Sequence, residues 1–459
     1  MSKLDELIKE LCPNGCEYKT LEEITKSITI GVNPRNFFKL NPPNADCFYV
    51  TVRELNGLAG VKQYEQTDKI DKQAVDFIEK RSNIETGDIL FSNTGTVGKM
   101  ALVIESPTNW NVNEGIYVIK PIQSLITSKF LYYYLSGGDA YKQYSKKFTG
   151  STLRHVTQNA LKALQIPVPP MAVQEEIVRI LDNFTALTAE LTAELTAELT
   201  ARKKQYEYYR DELLTFGDVQ CGTALRECGT ALRECGMWNV ECGMSGRSAP
   251  NCNNVTWKTL GELFPNIRNG FVGTITPYFT TKDKGVRYLE GTNIHNGIIS
   301  DNEVLYVTQE FHQKHIKNEL KSDDILMVQS GHIGECAVVG EKYKGANCHA
   351  LIIMSNGGKC NSKFYCHYFH SHEGYKSLTP AMTGGTVKHV LATKMKNIKV
   401  PVPPIEIQNK IVSILDRFDS LCNDISEGLP AEIEARQKQY EYYRDALLNY
   451  AAKGVAEFN

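Results

Sequence analysis

A chain of 459 residues is too long for one hydrophobic core, so two to four compact units are expected. Hydrophobic residues at 42% and charged residues at 23% are those of a soluble globular protein, and no apolar run is long enough to span a bilayer. The formal net charge of −2 excludes a simple polycation that coats nucleic acid, so any DNA binding must come from local patches.

The chain opens with MSKLDELIKELC, which lacks the uninterrupted apolar core of a secretory signal; a cytoplasmic protein is expected. Its 13 cysteines are odd in number and scattered, which favours reduced thiols over a disulfide framework. Residues 1–165 read as a first globular half. The runs CFYVTV, DILFS, MALVI and IYVIK, separated by Gly-, Asn- and Thr-rich turns, predict an α+β fold that is strand-rich with a few helices. Asn41-Pro42-Pro43-Asn44 is close to the Asn-Pro-Pro-aromatic motif of adenine methyltransferases. Asn44 replaces the stacking aromatic and no glycine-rich cofactor loop precedes it, so no methyltransferase site is read here.

Asn93-Thr94-Gly95-Thr96-Val97-Gly98-Lys99 resembles a phosphate-cradling loop without the spacing and terminal Gly-Lys-Ser/Thr of a P-loop. It serves either as a polar finger toward DNA, through Asn93, Thr94, Thr96 and Lys99, or as a hairpin turn. Residues 140–166 then carry Lys142, Lys146, Lys147, Arg154 and Lys162 with no acidic residue. Within them lies Thr149, Gly150, Ser151, Thr152, Arg154 and His155. Hydroxyls, backbone N–H groups and cations on a glycine turn suit phosphate, and Arg and Lys suit base edges. The plainer reading is a solvated loop with capping threonines.

Pro-Val-Pro-Pro at 167–170 cannot continue a helix but can start one. Ile177, Ile180, Leu181, Phe184, Leu187, Leu191, Leu195 and Leu199 follow at three- and four-residue steps, the stripe of an amphipathic helix over 172–215. If continuous it extends about 66 Å at about 1.5 Å per residue. Thr188–Leu191, Thr192–Leu195 and Thr196–Leu199 are three tandem Thr-Ala-Glu-Leu repeats. Residues 217–254, rich in Gly, Cys, Asn and Ser, read as a linker; Cys221, Cys228, Cys235 and Cys242 are spaced seven apart with no histidine among them, which suits a heptapeptide expansion better than zinc. No metal site is expected.

The second globular half, 255–399, carries Gln329, Ser330, Gly331, His332, Ile333 and Gly334 where the first carries its finger. Its basic stretch, 374–399, holds Thr383, Gly384, Thr386, Lys388 and His389. Residues 400–450 form a second helical segment, which Gly428 and Pro430 should interrupt or kink, and 451–459 a tail.

These parts are one unit met twice. IPVPPMAVQEEIVRILDNFTAL (166–187) matches VPVPPIEIQNKIVSILDRFDSL (400–421) at an offset of 234, and RKKQYEYYRDELL (202–214) matches RQKQYEYYRDALL (436–448) at the same offset. FTGSTLRHV (148–156) pairs with MTGGTVKHV (382–390), while in the globular halves the offsets drift to 236 and 239. Finding the basic patch twice favours its nucleic-acid role. Long helices with one apolar stripe must bury it, and the nearest partner is the other copy, packed antiparallel with pseudo-two-fold symmetry.

On 166–216 and 400–450 the sequence resembles the specificity subunits of Type I restriction-modification enzymes, in the branch with Thr-Ala-Glu-Leu repeats. The resemblance implies two target-recognition domains, each reading half of a split DNA site, in a chain that is not itself an enzyme. It also implies helices that dock two modification subunits, which carry S-adenosylmethionine and methylate adenine, with restriction subunits in the full complex. Gln205, Tyr206, Tyr209 and Arg210, with Gln439, Tyr440, Tyr443 and Arg444, are the partner-binding residues this implies. The rival readings are a stand-alone methyltransferase, which would need a cofactor loop absent here, and a coiled-coil scaffold, against which the duplicated basic patches count.

Overall fold

The computed structural model describes residues 2–33, 37–43, 45–149, 154–216, 255–384, 388–423 and 428–453. The chain divides into two compact units, one holding the residues up to Glu194 with those from Ile433 onward, the other running from Leu195 to Glu432. The expected linker, 217–254, and its cysteines lie outside the described residues.

Both units are built on the same frame. In the first, an antiparallel sheet runs in the order Thr25–Ile30, Ile116–Pro121, Ile89–Ser92, Met100–Leu102. In the second, the order is Asn266–Asn269, Leu351–Ser355, Ile325–Val328, Cys336–Val338. The central strands Ile89–Ser92 and Ile325–Val328 are buried at every position, which is why they read as continuous apolar runs rather than alternating ones. A smaller mixed sheet lies beside each, with Cys47–Val50 parallel to Trp110–Val112 in the first unit and Gly285–Leu289 parallel to Asn347–Cys348 in the second. The mixture of strands and helices is the expected α+β class.

Each globular half is closed by pairing its first strand with the strand before Pro-Pro: Glu17–Thr20 with Gln165–Val168, and Thr256–Thr259 with Lys399–Val402. Directly after the prolines a glutamine locks the turn. Gln174 Oε1 accepts from Thr127 N–H at 2.9 Å while its amide donates to Pro169 O at 2.8 Å. Gln408 makes the same pair with Asn361 N–H at 2.9 Å and Pro403 O at 2.8 Å. Both glutamines are buried, where an unpaired amide would cost about 1–3 kcal/mol, so the satisfied geometry accounts for the repeated motif.

The first long helix spans Met171–Leu214 without a break. The second copy is divided into Ile405–Asn423 and Leu429–Lys453, as Gly428 and Pro430 require. Pro430 falls in the first turn of its helix, where its missing N–H has no intrahelical partner to lose. In each unit the start of one long helix lies beside the end of the other, the arrangement that antiparallel packing requires. The first core gathers Val173, Ile177 and Leu181 together with Leu448, and the second gathers Ile411, Leu415 and Phe418 together with Leu213 and Leu214.

The stripe is buried only through Leu181. Phe184 and Leu187 are exposed, and Leu191, Leu195 and Leu199 are half-buried. For the three leucines of the array, the physical reason is the repeat length. Four residues overshoot one turn by about 40°, so the leucine row of the Thr-Ala-Glu-Leu array walks around the helix instead of holding one face.

A duplicated candidate nucleic-acid interface

Two signals that are far apart in sequence become one surface. In the first unit the finger is closed at its base by Ser92 N–H to Lys99 O at 2.9 Å and by Lys99 N–H to Ser92 Oγ at 2.9 Å. Gly95 (φ +70°) and Gly98 (φ +91°) take the left-handed backbone this turn needs. The basic segment folds as a hairpin, with Thr149 and His155 exchanging backbone bonds of 2.9 and 3.0 Å. Val156 N–H then donates to Asn93 O at 2.9 Å and Gly95 N–H to Arg154 O at 3.1 Å, which joins hairpin to finger.

The second unit repeats the construction. Gly331 (φ +80°) and Gly334 (φ +90°) turn its finger. Met382–Thr383 pairs with His389–Val390, Val390 N–H donates to Gln329 O at 2.9 Å, and Ser330 bridges His389. One backbone bond thus sits at equivalent positions in both copies.

The side chains divide into base and tip. Thr96, Lys146, Lys147, Thr149 and Arg154 are exposed in the first unit, and Thr94, Lys99 and His155 are half-buried. The Arg154 guanidinium lies 6.0 Å from the centre of the Phe148 ring, which holds it at the surface, and Lys99 Nζ donates to Arg53 O at 3.0 Å. Asn93 belongs to the base: it is buried, and its amide donates to Glu114 O at 2.9 Å, so its polar atoms are committed to the chain itself. In the second unit Ser330, His332, Lys388 and His389 are exposed, Thr383 and Gln329 are half-buried, and the Gln329 Oε1 atom is enclosed with no hydrogen-bond partner among the described residues. Ser151, Thr152 and Thr386 lie outside the described residues.

The basic stretches are less uniform than their composition. Lys142 pairs with Asp139 at 3.2 Å and Lys162 with Glu22 at 2.9 Å, so both are neutralised locally. Among the described residues Lys146, Lys147 and Arg154 form no ion pair, and neither do Lys388, Lys394 and Lys396, whereas Lys376 lies 3.7 Å from Glu373. In the first unit these cations lie at the hairpin; in the second Lys388 does, while Lys394 and Lys396 belong to the helix Ala392–Met395 and its C-terminal end.

Within the duplicated Gln-Tyr-Glu-Tyr-Tyr-Arg-Asp segments, Tyr206, Tyr209, Arg210, Tyr440 and Arg444 are the residues that turn inward. Tyr206 and Tyr209 pack on Phe418 with ring centres 6.5 and 5.8 Å apart, and Arg210 covers Tyr206 at 5.6 Å. Tyr206 Oη lies 3.4 Å from His367 Nδ1, and burial pushes its hydroxyl pKa up. In the first unit Tyr440 Oη meets Thr185 Oγ1 at 2.9 Å, Tyr443 stacks on Phe184 at 6.1 Å, and Arg444 covers Tyr440 at 5.9 Å. Gln205 accepts from Arg202 at 2.8 Å, and Gln439 is exposed. Tyr208, Tyr442 and Tyr443 are 56%, 70% and 46% exposed, and sequence reasoning passed over the first two. The signal was available, because residues three apart share a helix face and the one between them does not. Sequence reasoning also missed Asp211 and Asp445, which follow these arginines and accept hydrogen bonds from His372 N–H and Gly138 N–H.

This duplicated frame matches the family model of the Type I restriction modification DNA specificity domain twice, over residues 13–201 and 254–435, and the chain belongs to that family. The Type I restriction enzyme EcoR124I/EcoR124II specificity subunit of Escherichia coli is 33% identical over 313 residues, 64% of this chain and 65% of that relative, so the chain spans a little under two thirds of its length. The Type I restriction enzyme EcoprrI specificity subunit of Escherichia coli is 30% identical over 363 residues, 74% of this chain and 73% of the relative. A chain from a solved structure concerned with assembly and conformational transition of the type I R-M system aligns over 97% of this chain and 99% of its own, with TM-score 0.56 and 19% identity, which shows the fold. No helix among the described residues is long and apolar enough to cross a membrane.

Proposed function

We propose that this chain is the DNA-sequence-specificity subunit of a Type I restriction-modification complex and reads a bipartite DNA site with one composite surface per unit. The observation that carries this reading is the twice-built joint of polar finger and basic hairpin, at equivalent backbone bonds, in a family whose relatives are specificity subunits. The finger and hairpin offer hydroxyls, backbone N–H groups and unpaired cations to phosphates and base edges. No step of chemistry is assigned to the chain itself. Adenine methylation belongs to two modification subunits that bind S-adenosylmethionine, and cleavage to restriction subunits, in the cytoplasm. The Thr-Ala-Glu-Leu array acts as the spacer characteristic of one branch of the family. Its partners dock on the duplicated helices, where Gln439, Tyr443, Tyr208 and Tyr442 are exposed.

Methylation mapping of cells that express the chain with its modification subunits tests this. Methyladenine in one split sequence is expected. Methyl transfer by the isolated chain, or methylation without sequence preference, would contradict it.

A further inference from the structure

The helix Gly138–Ser145 of the first unit starts from Gly137, which has no side chain with which to cap it. The missing acceptor comes from the far end of the chain. Gly138 N–H donates to Asp445 Oδ2 at 3.0 Å, and Arg444 Nε donates to Asp445 Oδ1 at 2.9 Å, fixing the carboxylate. A Cβ at position 138 would lie 2.7 Å from that Oδ2, so glycine is what allows the approach. A carboxylate at a helix N-terminus satisfies an orphan N–H and complements the helix dipole.

The second unit has the same contact with the repeats exchanged. His372 N–H donates to Asp211 Oδ1 at 3.1 Å, and Arg210 Nε donates to the same oxygen at 3.3 Å. Here the helix His372–Ser377 also has its own cap, with Gly374 N–H donating to Ser371 Oγ at 3.2 Å. Gly137 and Ser371 are equivalent positions with nearly the same backbone, φ −79° and −78°. Each capped helix leads into the basic hairpin of its unit: Gly138–Ser145 runs on to Lys146, Lys147 and Thr149, and His372–Ser377 to Met382–Thr383. The hairpin is in turn bonded to the finger through Val156 and Val390.

We propose that Asp445 and Asp211 are crossed positioning residues: the Arg-Asp pair ending one repeat's helix sets the helix and basic hairpin with which the other repeat's globular half reads DNA. This rests on the DNA-reading function proposed above. The first half-site then depends on the second copy's Asp445, and the dependence is stronger there because Gly137 provides no local substitute.

The test uses the full chain in complex with its modification subunits and reads a hydroxyl-radical footprint over each half of the methylated site. Asp445→Ala should weaken protection of one half by roughly fivefold, the effect of a typical N-cap, and leave the other unchanged. Asp211→Ala should act on the opposite half, by less. Gly137→Ser, which installs the cap found at Ser371, should restore the Asp445→Ala complex, an outcome a general packing role would not give. Asp445→Asn, which keeps one acceptor oxygen and the side-chain volume, provides the milder variant if alanine prevents assembly, and should weaken the same half. Unchanged footprints, equal weakening of both halves, or no restoration by Gly137→Ser would overturn the proposal. A wild-type complex without a split footprint would overturn the DNA-reading function itself, which separates the two failures.

Discussion

Phe184 and Phe418 stand at equivalent places on the two long helices, yet one is 38% exposed and the other fully buried. The difference traces to a neighbour. In the second unit Asp416 meets His367 at 2.9 Å, and His367 takes the hydroxyl of Tyr206, so Tyr206 and Tyr209 both settle over Phe418. In the first unit Tyr133 fills the histidine's place, bonds Asp182 at 2.7 Å, and contacts Thr185, which also receives Tyr440. Among the described residues, Tyr443 is the one ring stacked on Phe184. The lysine of each cluster is unchanged, Lys129 to Asp182 and Lys363 to Asp416, both at 2.6 Å. Burial, which alone would raise the Asp416 carboxyl pKa, is outweighed by bonds from His367 and Lys363, so it is held below its usual range. A frame copied almost residue for residue thus closes differently on two diverged globular halves.

This asymmetry can be broken most sharply at the phenylalanines. Phe418→Ala should destabilise the second unit by about 3–5 kcal/mol, as deletion of a fully buried ring does, while Phe184→Ala should cost about 1 kcal/mol or less. Chemical denaturation of the two variants measures both, and equal losses would show that exposure at these sites does not report packing.

The hairpins differ in how their cations are held. Arg154 is braced on Phe148, and an arginine offers a planar fork where Lys388 offers a point charge. Arg154→Ala should therefore weaken DNA binding by the complex by about 1–3 kcal/mol and relax preference at one base pair. Lys388→Ala should lower affinity evenly across sequences and reduce the salt slope by about one. Titration at several salt concentrations distinguishes these outcomes, and two variants indistinguishable from wild type would make both loops solvent-exposed turns.

The smallest effect is expected from acid. Glu176 in the first unit has the cation Lys410 as its counterpart in the second. The hydrogen bond from Arg179 lowers the Glu176 pKa from 4.5 to about 2, aided by Lys3 and opposed by burial. A carboxyl whose folded pKa is depressed contributes stability that is complete above the unfolded value and is lost as pH falls toward the folded one. Wild type should therefore lose stability relative to Glu176→Gln as pH drops from 4.5 toward 2. Parallel melting curves of the two proteins across that window would contradict the assignment.

The helical frame was legible because its signals are local. Pro-Val-Pro-Pro and the three- and four-residue apolar steps placed a helix over 172–215, and it spans Met171–Leu214. Gly428 and Pro430 marked the break in the second copy. The runs DILFS and IYVIK read as strands because the central sheet buries both of their faces. What could not be read depends on pairing across distance. Nothing near Asn93 announces that its backbone carbonyl will accept from Val156 N–H and its side-chain amide donate to Glu114 O, which makes it a support of the finger. Nor does the Tyr-Glu-Tyr-Tyr repeat reveal by itself that Tyr206 and Tyr440 face inward. That follows from Phe418 in one unit and Thr185 in the other, both contributed by the opposite copy's helix.

The proposed function makes the Thr-Ala-Glu-Leu array a spacer between the two half-sites read, and its length offers the most direct measurement. Deleting Thr192–Leu195 removes one repeat from the continuous helix Met171–Leu214. The helix shortens by about 6 Å, and the part beyond the deletion turns by about 40° relative to the part before it. DNA rises about 3.4 Å per base pair along one strand, so methylation mapping should find the same two half-site sequences with the gap between them shorter by one or two base pairs. An unchanged gap with full activity, or half-sites of altered sequence, would contradict the account.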